Sequence, residues 1–123
     1  GLGFDNFERL LIGVSNENAN TVGMSVLDKT NLSSNALIGE LNFFDRDVVI
    51  GHDVEIGNFN HFGVRCIVGG ESKIGSGCII HSGAIIGRGV TIGDNSEIGL
   101  GAIIIRDVAD GSKIIAPQSR NIR

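Results

Sequence analysis

Large apolar residues recur along this chain at every sixth position. From Val26 the step passes through Leu32, Ile38, Phe44, Ile50, Ile56, Phe62, Val68, Ile74, Ile80, Ile86, Ile92 and Ile98 to Ile104 without a break. Four residues after each comes a small or compact residue, such as Ala36, Val48, Val54, Cys66, Cys78, Ala84 or Ala102. Glycine often follows the large residue directly, as at Gly39, Gly51, Gly57, Gly63, Gly69 and Gly75. A helix of 3.6 residues per turn drifts out of a six-residue register within a few turns, and hairpins space their turn signals more widely. A solenoid keeps such a register, because each repeat is one short strand plus one corner. Three hexapeptides then close a triangular coil of eighteen residues, stacked about 4.8 Å from the next.

The pattern predicts an all-β parallel helix over 26–109, with 1–25 as an N-terminal cap or linker and 110–123 as a C-terminal tail. Residues one coil apart become vertical neighbours, so Phe44 and Phe62 are expected to stack inside. Cys66 and Cys78 fall on different faces at the small interior position, which makes them packing residues and not a redox pair. Phe4, Phe7, Leu10, Leu11 and Val14 have helical spacing, with Asp5 as a cap and Glu8 three residues on. They predict a short amphipathic helix over the open first coil, with a strand at Arg9–Val14 as the alternative. The segment Gly101–Gly111 and the tail from Ile114 through Pro117 to Ile122 close the other end.

Composition narrows the function classes. The chain has 123 residues, 41% of them apolar, with 19 glycines, one proline, no Trp and no Tyr. Collagen is excluded, since it needs glycine at every third position and many prolines. The formal net charge is −4 and the cations are scattered, which argues against a nucleic-acid face. No apolar run has membrane-spanning length and no signal peptide is evident, so a cytoplasmic protein without membrane attachment is expected.

Chemistry concentrates in Ile50–Gly70. Acyl transfer needs a base for the nucleophile's proton and a donor for the developing oxyanion. His52 occupies an outward corner position, and Asp53 beside it is placed to orient the imidazole. Gly70 lies eighteen residues further on, so its backbone passes one coil from His52. The same column continues to Arg88 and Arg106, two cations placed to meet the phosphates of a long donor. His81 stands where glycine is usual and is read as structural or as lining a donor groove.

The repeat resembles the hexapeptide-repeat acyltransferase family, and the resemblance implies a left-handed β-helix. The segment around His52 is similar to the bacterial sugar O- and N-acetyltransferases of the sialic acid and nucleotide-amino-sugar type. That resemblance implies acetyl-CoA as donor and no metal. It makes His52 the base and Asp53 its orienting partner. It puts His61 against the donor and assigns the thioester oxygen to the Gly70 N–H. It also implies a cation at Arg106 on the donor, and a homotrimer with sites between subunits. Exposed Phe43, Phe59 and Ile79 fit such packing. The expected acceptor is an amine or hydroxyl of a sugar, nucleotide-sugar or related small molecule. Those enzymes usually carry a larger nucleotide-sugar domain before the repeat, and only 25 residues precede it here, so either this is a truncated form of a larger enzyme or the acceptor differs.

Two other readings remain. A zinc carbonic anhydrase shares this helix, but its histidine ligands are spaced differently, and Gly57 stands where a partner of His52 is needed. A non-catalytic structural or binding β-helix has no use for His52-Asp53 and His61.

Overall fold

The computed structural model describes residues 10–12, 25–26 and 30–123. Its strands, β1 to β16 in chain order, are mostly two residues long and form three sheets that wrap into a triangular prism. Face I contains β1 (Leu10–Ile12), β4 (Ala36–Ile38), β7 (Glu55–Ile56), β10 (Lys73–Ile74) and β13 (Thr91–Ile92). Face II contains β2 (Ser25–Val26), β5 (Phe43–Phe44), β8 (His61–Phe62), β11 (Ile79–Ile80), β14 (Glu97–Ile98) and β16 (Lys113–Ile114). Face III contains β3 (Asn31–Leu32), β6 (Val49–Ile50), β9 (Ile67–Val68), β12 (Ile85–Ile86) and β15 (Ile103–Ile104). The fold is the parallel β-helix that the six-residue period predicts, consistent with the left hand that the family resemblance implies.

Each two-residue strand points one side chain out and one in. The inward residue is the large one of the repeat, and Ile38, Phe44, Ile50, Ile56, Phe62 and Ile74 are fully buried. Phe44 and Phe62 stack as expected, with centroids 4.7 Å apart and planes 4° apart. Such a pair contributes about 0.5–1.5 kcal/mol beyond its buried area. Small residues fill the tight corners of the prism, among them Ala36, Cys66, Cys78 and Ala84. Burial pushes the Cys66 thiol up to about 12 and also raises Cys78, so both stay protonated and unreactive. The buried polar members are paired. Asn42 Nδ2 donates to Gly57 O at 2.9 Å and Asn60 Nδ2 to Gly75 O at 2.9 Å. Their Oδ1 atoms accept from Asn60 N–H and Cys78 N–H.

Among the described residues, the third residue of each corner has positive φ, the shortened turn between Ile104 and Val108 excepted. Glycine, Asn or Asp fills many of these places, but Leu41, Phe59, Arg65 and Glu71 do so too, with φ of 57–65°. For a residue of that kind the left-handed region costs about 1–2 kcal/mol.

Two expectations change at the ends. Leu10–Ile12 is a strand, antiparallel to β4 with Leu10 opposite Ile38, and not part of a helix. The edge of face I offers a row of backbone partners there, and pairing with it outweighs the helical spacing of the side chains. The rest of the predicted N-terminal helix, Phe4, Phe7 and Val14 included, lies outside the described residues. At the other end the regular step shortens. Ile86 faces Ile104, 18 residues on, but Ile92 bridges Val108 and Ile98 faces Ile114, each 16 residues on. Two residues are therefore missing from the turn between Ile104 and Val108, and face II continues through β16.

Candidate functional site

His52 and Asp53 sit in the corner between faces III and I, directly after β6. Asp53 has φ of 56°, a conformation its short polar side chain tolerates. The turn brings its Oδ2 to 3.0 Å from His52 Nδ1. Both side chains are more than half exposed, so the pair contributes little stability and its effect is orientation. An acidic partner on Nδ1 selects the tautomer with its proton there and the lone pair on Nε2.

Nε2 lies against the next coil. A Cβ built on Gly70 would stand 2.6 Å from His52 Nε2 and 2.8 Å from its Cδ2. Only a residue without a side chain leaves room for this imidazole position. Gly51 has the same relation to the backbone, since a Cβ there would lie 2.6 Å from Gly70 N. Glu71 N–H donates to His52 O at 2.8 Å and Gly89 N–H donates to Gly70 O at 3.0 Å, which locks the corners in register. The Gly70 N–H itself donates to no group among the described residues. A base with a free lone pair and a free backbone donor thus stand side by side.

The structure keeps the other candidates apart from this pair to different degrees. Arg88 is in the column one coil below Gly70, but Glu71 holds it. Glu71 Oε1 accepts from Arg88 Nε at 2.7 Å and stands 2.6 Å from its terminal nitrogen. Glu71 was missed in the sequence, although it stands eighteen residues after Asp53 in the same acidic column. Arg106 falls in the shortened turn, two residues after Ile104, the last residue in the eighteen-residue register. His61 is on a different side of the prism. It points outward from β8 on face II, with its ring 4.9 Å from that of Phe43. One protomer therefore does not bring His61 to His52.

His81, in the corner between faces II and III, accepts or donates through Nε2 at 2.8 Å from Glu97 Oε2. Glu97 Oε1 is 3.4 Å from Lys113 Nζ. These contacts, the His81 hydrogen bond first, hold the Glu97 carboxyl below its ordinary value. The three line an open groove with Leu100, Ile114 and Ile115. The three histidines lie on separate parts of the prism, and among the described residues no group of three or more His, Cys, Asp or Glu is arranged to hold a metal ion. Among the described residues no helix is long and apolar enough to cross a membrane.

Comparison with known proteins agrees with the repeat. Residues 71–106 match the family model described as bacterial transferase hexapeptide, six repeats. No curated protein matches significantly. One of the matching solved structures is a mutant perosamine N-acetyltransferase from Caulobacter crescentus in complex with CoA and GDP-perosamine. It is 22% identical, with a TM-score of 0.34, over 76% of this chain and 50% of that one. The chain thus spans about half the length of that protein, and a likeness of this degree carries no weight for function. The six-residue period of the chain's own coils continues on both sides of residues 71–106, the segment that matches this family model.

Proposed function

We propose that the protein is an acetyl-CoA-dependent acetyltransferase acting on an amine or hydroxyl of a sugar or related small molecule. The observation that carries this reading is the His52 imidazole, fixed by Asp53 through Nδ1, with Nε2 beside the open N–H of Gly70. His52 Nε2 takes the proton from the acceptor as its nitrogen or oxygen attacks the thioester carbon. The carbonyl oxygen gains the negative charge and receives the Gly70 N–H. The intermediate collapses, the C–S bond breaks, and the imidazolium returns its proton to the leaving thiolate. Asp53 stabilises the imidazolium while it exists.

Arg88 and Arg106 are proposed to meet the donor's phosphates. Arg88 starts out paired with Glu71, but an exposed pair is worth only about 0–1 kcal/mol, so exchange onto a phosphate is inexpensive. His61 is proposed to contact the donor from a second subunit of a homotrimer. Face III presents Val49, Ile67, Ile85 and Ile103, each at least 39% exposed, as an apolar ridge suited to subunit packing. Sedimentation as a stable monomer at micromolar concentration would remove this composite site.

The decisive experiment is His52→Ala. An exposed corner side chain contributes little to the core, so the variant is expected to fold and to bind CoA. It is expected to lose about 10²–10⁴ in kcat. Retention of more than about a third of wild-type kcat, with chemistry rate-limiting, overturns the assignment. Failure of the wild-type protein to bind CoA at all favours a non-catalytic β-helix.

A further inference from the structure

Glu71 stands at the third position of the corner between faces III and I, one coil below Asp53. The coils on either side place Asp53 and Gly89 there, residue types that adopt positive φ readily, but Glu71 takes the same conformation with φ of 65°. A long side chain persists in that conformation only where its surroundings over-determine it. Two ties do so. Glu71 N–H donates to His52 O at 2.8 Å. Glu71 Oε1 accepts from Arg88 Nε at 2.7 Å and stands 2.6 Å from the terminal nitrogen of the same guanidinium.

Both guanidinium contacts fall on one oxygen. Oε2 has no partner among the described residues. The side chain leaves the backbone directly after Gly70, and His52 Nε2 rests where a Gly70 side chain would be. Asp53 is engaged at the other ring nitrogen, Nδ1. A carboxylate held through one oxygen and open through the other therefore neighbours the base and the Gly70 N–H.

We infer that Glu71 is a specificity-determining residue that selects an amine over a hydroxyl as the acyl acceptor. The inference rests on the proposed acetyl transfer with His52 as base. An attacking amine carries two hydrogens. One passes to His52 Nε2 as the C–N bond forms, and the other stays on nitrogen through to the amide product. That second N–H needs an acceptor, and Glu71 Oε2 supplies it. The nitrogen gains positive charge as it attacks, so its hydrogen bond to a carboxylate strengthens toward the transition state. An attacking hydroxyl carries one hydrogen, which His52 takes. Its oxygen then turns only lone pairs toward Glu71, and the carboxylate repels it.

Competition assays at saturating acetyl-CoA test this on a panel of amino sugars, each paired with its hydroxyl counterpart, such as D-glucosamine with D-glucose. Glu71→Gly uses the residue type found one coil on at Gly89, and Glu71→Gln keeps an acceptor oxygen without the charge. The wild-type preference for the amine is expected to fall about 10- to 100-fold in Glu71→Gly, the effect of one hydrogen bond to a charged group, and by less in Glu71→Gln. Damage to the fold or to the base lowers both transfers equally and leaves their ratio unchanged, so an unchanged ratio in both variants overturns the inference. If Glu71→Gly does not fold, the ratio in Glu71→Gln decides. Transfer by the wild type to hydroxyls alone overturns the inference and leaves the acetyltransferase reading in place. Absence of transfer to any member overturns that reading, and this inference with it.

Discussion

The corner between faces I and II and the corner between faces III and I share one backbone turn but treat the N–H of the second residue differently. In the I–II corner, a side chain one coil below accepts from it at each of four levels. Asn58 Oδ1 accepts from Glu40 N–H at 2.7 Å, and Ser76 Oγ from Asn58 N–H at 3.0 Å. Asp94 Oδ1 accepts from Ser76 N–H at 2.9 Å, and Asp110 Oδ1 from Asp94 N–H at 2.7 Å. In the III–I corner the residue below His52 is Gly70, and the residue below Gly70 is Arg88. Neither offers an acceptor, so the Gly70 N–H stays available beside the imidazole. A regular solenoid makes the same donor at every corner, and side-chain choice one coil away decides whether it is spent within the fold or left open.

This comparison can be broken on purpose. Arg88→Asn puts into the III–I corner the residue type that caps Glu40 N–H in the other. The new side chain is expected to accept from Gly70 N–H, leaving the fold intact while kcat falls by about 10²–10³, the usual effect of losing an oxyanion donor. Unchanged kcat alongside a formed cap would show that the Gly70 donor is not used. Gly70→Ala attacks the other half of the pair. Its Cβ would stand 2.6 Å from Nε2, so the imidazole has to move, and about 10²-fold in kcat is expected to follow from that misplacement. A crystal structure of the variant checks whether the ring has shifted.

The converse change removes a cap from the I–II corner. Asp94→Ala frees the Ser76 N–H and is expected to lower stability by about 1 kcal/mol in denaturant unfolding, with kcat unaffected. A loss of activity larger than the loss of folded protein would mean that the two corners are coupled.

The smallest expected effect is pH dependence from Glu97. Its carboxyl is held below 4.5 by His81 first and by Lys113. A carboxyl with a depressed folded value binds fewer protons folded than unfolded. Its stabilisation is therefore present above the ordinary range and is lost as pH falls below about 4.5 through the lowered value. Glu97→Gln is expected to reduce the drop in Tm between pH 6 and pH 3. An unchanged drop would assign it to other carboxylates.

The repeat made the fold legible because each large residue has one inward position per strand, so periodicity alone places Phe44 over Phe62 and separates Cys66 from Cys78. The N-terminal strand was less legible. Leu10 and Leu11 suit a helix face as well as a strand, and the partner that decides, β4, is distant in sequence. Part of the candidate site's geometry was also legible: that His52, Asp53 and Gly70 lie together follows from corner position and the eighteen-residue step. The Arg88–Glu71 pair was not, since long side chains choose among several partners at one corner. Nor was the short turn that holds Arg106, because nothing in the run from Ile104 to Val108 marks a loss of two residues.

The sequence by itself determined the coil, its core and which residues face outward, because a six-residue period with one large apolar position admits one way of closing. Only the tertiary structure decided which backbone donors are spent and which remain, that Nε2 rests where a Gly70 side chain would be, and that Phe59 is held strained at an exposed corner. Those outcomes depend on contacts between residues a full coil apart, and on distances of a few tenths of an ångström that no spacing encodes.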